Sequence, residues 1–294
     1  MLAVVAAYTL GTLGSEVGFA DRMLVAGKMS QVWAFAGGMI FNLGNMLLVA
    51  AISLIGMSAA FPLAIGTALI ITSLFHFQVS NLFFMATAIL LLLVALTFNG
   101  SACRLRNLGL AKPPNGRSKS KAPAKASKLT KGIAVSILSG VALGLFYPVL
   151  NRGLTGDLGL GPYAGILVFC VGLFFSTLVF FLYFLNVVIE GSPITVTGYF
   201  RGRFAQHAWG VLGGVISAAG LLCAALAISA PAEVGPSQAV AFIVPLASVL
   251  LAFVWGVGVW REFGAAPRSA KGLLGASAVC FACGLAVLGI GIGR

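Results

Sequence analysis

Charge is scarce in this chain. Of its 294 residues only 8% are charged, six are acidic and two are histidine, whereas 60% are hydrophobic. Soluble globular domains carry about a quarter of their residues charged, so water is excluded as the main solvent. Both histidines, His76 and His207, fall at the ends of apolar runs, and neither lies near Cys280-x-x-Cys283. That leaves the cysteine pair without the His or further Cys of a zinc site. Carboxylates are missing from the middle of every apolar run: Glu16, Asp21, Asp157, Glu190, Glu233 and Glu262 all stand at run ends or in loops. With neither paired midplane acids nor a His cluster, the chain reads as a non-enzyme without cofactor or metal.

What is abundant is apolar sequence. A membrane helix needs about 20 apolar residues, and eight stretches qualify: Val32–Ile55, Ser58–Phe75, Leu82–Phe98, Gly132–Leu150, Pro162–Val188, Ala208–Ala230, Val234–Val259 and Gly272–Ile290. Leu2–Leu13 is too short to cross, and without a basic flank or a small-residue cleavage site it reads as half of a membrane helix, not a signal peptide. The net charge of +12 does not indicate a nucleic-acid partner, because nine of the eighteen basic residues crowd between Arg104 and Lys131 with no acid among them. Such a cluster marks the cytosolic side and lies beside anionic lipid. The remaining loops then follow in turn, with the C-terminus outside. Residues 99–131 are expected to be a basic disordered linker between a first helical half, 1–98, and a second, 132–294.

The two halves repeat. At an offset of 176 positions Gly37-Gly38 aligns with Gly213-Gly214, Gly44 with Gly220, and Ala51-Ile52-Ser53 with Ala227-Ile228-Ser229. Two spans precede the second copy and only Leu2–Leu13 precedes the first, so one and a half helices are missing from the first half. Restoring them makes five plus five, and an odd repeat places the halves in opposite orientations. The expectation is therefore that Met1 is an internal start or that the first span has been lost, which an intact-mass measurement of the natural product addresses.

Polar groups inside apolar runs face a cavity or another helix. Asn42 and Asn45 are three apart on one helix face, near Trp33 and Phe41; substrate contact and interhelical hydrogen bonding are both open to them. In the second half Ala230-Pro231-Ala232-Glu233-Val234-Gly235-Pro236 reads as a hairpin tip, followed by Ser237 and Gln238, with ligand contact or helix capping as alternative roles. Glu233 is the nearest candidate for proton coupling. Pro62 and Pro245 are candidate hinges. Tyr147, with Pro148, Asn151 and Arg152, closes a helix at the external side, and Arg152 has Asp157 as a possible ion-pair partner. Gly140-x-x-x-Gly144, Gly161-x-x-x-Gly165 and Gly210-x-x-x-Gly214 are spacings for close helix approach.

Gly37-Gly38-Met-Ile-Phe-Asn42-Leu-Gly44-Asn45, running on to Gly56-Met-Ser-Ala-Ala-Phe-Pro62, together with Pro245-Leu-Ala-Ser-Val and Trp260-Arg-Glu262-Phe263, resembles the ureide permease family and its bacterial relatives within the drug/metabolite transporter superfamily. The resemblance covers the chain from about Phe19 onward. It implies an all-α polytopic membrane protein with an inverted five-plus-five helix repeat, against which this sequence is expected to lack the first helix and part of the second. It also implies a permease of the bacterial cytoplasmic membrane working by alternating access on a small polar solute such as a ureide, nucleobase or sugar. Substrate contacts are then expected from Asn42, Asn45, Ser237, Gln238, Trp33, Phe41 and Tyr147. The central loop lacks the phosphate-binding Gly-x-x-x-x-Gly-Lys pattern of the plant members, so nucleotide binding is not expected. The alternatives are a lipophilic-cation or metabolite exporter, for which the buried carboxylate is missing, and an inactive scaffold or fragment. The expected partners are the lipid bilayer and the solute; a homo-oligomer is compatible with the pattern.

Overall fold

The computed structural model describes residues 1–13, 18–75, 82–111, 122–186, 196–229 and 248–292. Every regular element among them is a helix: α1 Leu2–Tyr8, α2 Leu10–Leu13, α3 Phe19–Val25, α4 Lys28–Ile55, α5 Met57–Phe75, α6 Leu82–Ala111, α7 Ala122–Leu154, α8 Gly161–Asn186, α9 Val196–Phe200, α10 Phe204–Ser229, α11 Ser248–Val254, and α12 Arg268–Ile292. A π-helical turn, Trp255–Val259, continues α11. Helices satisfy their own backbone groups, which is what long apolar runs require in lipid. Seven of them, α4 to α8, α10 and α12, are long and apolar enough to cross a membrane. The chain is an integral membrane protein on that basis.

These seven coincide with seven of the eight expected spans. The eighth, Val234–Val259, is described only from Ser248, and the expected hairpin tip with Glu233, Ser237, Gln238 and Pro245 lies outside the described residues. The linker expected over 99–131 differs from what is found. Helix α6 runs on to Ala111 and α7 begins at Ala122. The charge of Arg104 and Arg106 marked the run as solvated, yet Asn99, Cys103 and Arg106 fall on one buried face at i, i+4 and i+7.

Two compact units emerge, Met1–Leu43 with Phe146–Ala241, and Gly44–Leu145 with Phe242–Arg294. They are a different division of the chain from the halves expected from sequence. In the first unit α1, α3 and α10 pack on α8. Ala3, Ala6 and Ala7 bury one face of α1 in a core that includes Ala34, Ile166 and Phe169. Glycine sets the closest approach: a Cβ at Gly38 would run into the Phe169 carbonyl of α8, and one at Gly172 into the Phe35 carbonyl of α4.

In the second unit α6 and α12 pack along their lengths while α5 contacts α6 and α11, around Leu69, Leu92, Phe253 and Phe281. Of the expected glycine spacings, Gly140 and Gly144 seat α7 against Ala64, Thr67, Ala68 and Ile71 of α5. Gly210 and Gly214 on α10 meet nothing within 4 Å among the described residues.

Proline inside a helix leaves the carbonyl four residues earlier without its N–H partner. Both cases are answered from a neighbouring helix. Pro62 lies inside α5, and the Ser58 carbonyl it orphans accepts from Asn99 Nδ2 of α6 at 3.1 Å. Pro148 lies inside α7, and the Gly144 carbonyl it orphans accepts from Thr72 Oγ1 of α5 at 3.1 Å. Pro62, a candidate hinge by sequence, is buried in one continuous helix with its free carbonyl held.

This pairing makes the effects of Asn99 and Pro62 interdependent. Asn99→Leu is expected to cost about 1 kcal/mol in the native background and appreciably less beside Pro62→Ala, which restores an intrahelical N–H for Ser58. Thermal unfolding of the four detergent-purified proteins in a double-mutant cycle reads the coupling; strict additivity would reject the assignment.

Candidate functional site

The polar residues of the first unit meet where α4 crosses α8. Asn42 is buried, and its Nδ2 donates to Ser176 Oγ at 2.8 Å, Thr177 Oγ1 at 3.1 Å and the Leu173 carbonyl at 3.4 Å. Ser176 and Thr177 in turn donate to that carbonyl, at 3.0 and 2.8 Å. The asparagine thus bridges two helices, one of the two uses open to it from sequence. Interhelical bonds of this kind contribute about 1 kcal/mol in membrane proteins.

Aromatic groups flank the bridge. Phe41 lies edge-on to Phe146 at 4.9 Å and tilted against Phe169 at 5.4 Å, and Tyr147 adjoins Phe146 at 6.4 Å. Trp33 lies under the Arg152 guanidinium, 5.2 Å from its ring centroid. Arg152 stands in the last turn of α7, where a cation also complements the helix dipole. The structure therefore groups Phe41 with Phe146 and Phe169 next to Asn42, with Trp33 two turns earlier on α4 and Tyr147 beside Phe146. Asn45 falls in the second unit and is half-buried.

A second polar centre, which sequence reasoning did not assemble, surrounds the α4–α5 turn. Gly56 has φ +91° and ends α4; a Cβ there would press on the Glu262 carboxyl group as well as strain the backbone. Helix α5 starts at once, so its first N–H groups need acceptors from elsewhere. Glu262 supplies them: Met57 N–H donates to Oε1 at 2.7 Å and Ser58 N–H to Oε2 at 2.9 Å, with the Ser58 hydroxyl on the same oxygen. At the other side of the turn Arg106 Nη2 donates to the Ile55 carbonyl at 2.7 Å, and its guanidinium covers the Phe263 ring at 4.9 Å.

An anion at a helix N-terminus and a cation at a helix C-terminus each oppose the local dipole charge. Both are arranged here at consecutive helix ends. Asn99 completes the cluster through Ser58, and its buried Oδ1 has no donor among the described residues. The sequence signal for this centre was the i, i+4, i+7 series of Asn99, Cys103 and Arg106, which carries the helical period past the apolar run.

The chain matches no protein-family model, no curated protein and no solved structure.

Glu262→Ala is expected to lower stability by about 2 kcal/mol, since it strands two backbone donors and a hydroxyl, and Arg106→Leu by a similar amount. Arg104→Leu, at an exposed position of the same helix, should stay within about 0.5 kcal/mol. Unfolding midpoints in mild detergent compare the three.

Proposed function

We propose that the chain is a secondary transporter of the drug/metabolite type that moves a small, neutral, hydrogen-bonding solute across a cytoplasmic membrane by alternating access. The observation that carries this reading is a recurrence of helix boundaries at the offset found in the sequence. Advancing α3, Phe19–Val25, by 176 positions lands on α9, Val196–Phe200, and advancing the start of α4, Lys28, lands on the start of α10, Phe204. The same shift sets α1 against the C-terminal part of α8. A repeated order of short helix, connector and long helix supports an internally duplicated transporter, and an odd number of helices per copy supports the inverted form.

Asn42, Ser176 and Thr177 offer amide and hydroxyl groups at membrane depth beside Phe41 and Tyr147, a chemistry suited to a ureide, nucleobase or sugar. Asn45, Ser237 and Gln238 are further proposed contacts, and Glu233 is the proposed coupling acid. In this reading the segment between α6 and α7 is cytosolic and the C-terminus is outside. The resemblance to ureide permeases is the family assignment proposed with it.

Purified protein reconstituted into liposomes is expected to give saturable uptake of one radiolabelled class among ureides, nucleobases and sugars. Asn42→Leu and Asn45→Leu should each abolish that uptake, and Asn42→Leu should also cost about 1 kcal/mol of stability. Folded protein that moves none of these solutes faster than empty liposomes would defeat the proposal.

A further inference from the structure

The second unit holds a cavity of about 450 Å³ between α11 with its π-helical turn and α12, within the ordinary range of about 300–1,000 Å³ for ligand pockets. Its walls are Phe253, Val254 and Val257 on one side and Leu274, Gly275 and Ala278 on the other, and Arg261 and Lys271 also line it. The two segments run in opposite chain directions, so residues 253 and 278 mark one end and residues 261 and 271 the other. From Lys271 to Ala278 a helix rises about 10 Å. The furrow is therefore apolar along its length and doubly cationic at one end.

The cationic end is built. Gly264 N–H donates to the Arg261 carbonyl at 2.9 Å, closing the turn, and Lys271 Nζ donates to the Gly264 carbonyl at 3.0 Å. This ties both cations to the same few residues. Arg261 has φ +50°, the only non-glycine with positive φ among the described residues. Glycine would adopt that conformation without cost, whereas arginine there bears about 1–2 kcal/mol of strain, which directs attention to what its side chain does. Arg261 and Lys271 are both exposed.

We propose that this furrow binds one phospholipid with an anionic headgroup, the acyl chain lying between α11 and α12 and the phosphate held by Arg261 and Lys271. The order of groups matches an amphiphile at a bilayer interface: cations stand at the helix ends, where headgroups lie, and the apolar walls run inward from them. Charge complementarity selects an anionic over a zwitterionic headgroup. The site stands on unit-two residues alone and does not rest on the transport reading.

The test is titration of the full-length, detergent-purified protein with short-chain phosphatidylglycerol and with phosphatidylcholine of the same chain length, read by melting temperature and native mass spectrometry. Phosphatidylglycerol is expected to bind saturably at one molecule per chain and to raise the melting temperature. The double variant Arg261→Gln, Lys271→Gln should weaken it about thirtyfold. Gly275→Leu, at a position where an added Cβ meets nothing within 4 Å, should fill the furrow and abolish binding while leaving the unliganded melting temperature unchanged. Arg268→Gln, outside the furrow, should bind as the native chain does. Equal binding of phosphatidylcholine, equal binding of glycerol phosphate without acyl chains, loss of nothing in the double variant, or occupation of the furrow by a second copy, seen as a dimer that Gly275→Leu dissolves, would each overturn it.

Discussion

Inside a bilayer every backbone donor and acceptor must find a partner within the protein, because no water is present to take its place. A straight helix meets this demand by itself; a helix that turns sharply or contains proline does not. This chain has both exceptions, and side chains from remote positions resolve them. Glu262 takes the free N–H groups at the start of α5, Arg106 takes the last carbonyl of α4, and Asn99 and Thr72 take the carbonyls that Pro62 and Pro148 release. These contacts explain why so few polar residues suffice, and why removing one of them costs more than its own hydrogen bond.

The rest of the packing follows from small residues. Glycine and alanine let helices approach until backbone carbonyls themselves form the contact surface, as Gly38 does against Phe169 and Gly172 against Phe35. Dispersion over such close surfaces replaces the hydrophobic effect, which has no force between helices already in lipid. Helix α5 shows the consequence, with 61% of its apolar window buried, against 11% for α10. The more enclosed helix is also the one whose first N–H groups and Ser58 carbonyl are bonded from outside.

Function in such a fold depends on the few polar groups that packing does not consume. Asn42 is engaged with α8, where its amide gathers the Ser176 and Thr177 hydroxyls and the Leu173 carbonyl. Both carbonyls that the prolines free are bonded from a neighbouring helix.

The sequence by itself determined the solvent, the helical class and seven spans, because apolar length and the absence of midspan charge are properties of single segments. The tertiary structure alone decided what the polar residues do. A charge-dense run beginning with Arg104 and Arg106 looks solvated in one dimension, and only the packed helix shows Arg106 turned inward onto the carbonyl of Ile55. Glu262 stands in a loop more than two hundred positions from Met57, and no local pattern ties the two. Partner choice among buried polar groups is a long-range property, fixed when helices distant in sequence bring donor and acceptor within 3 Å.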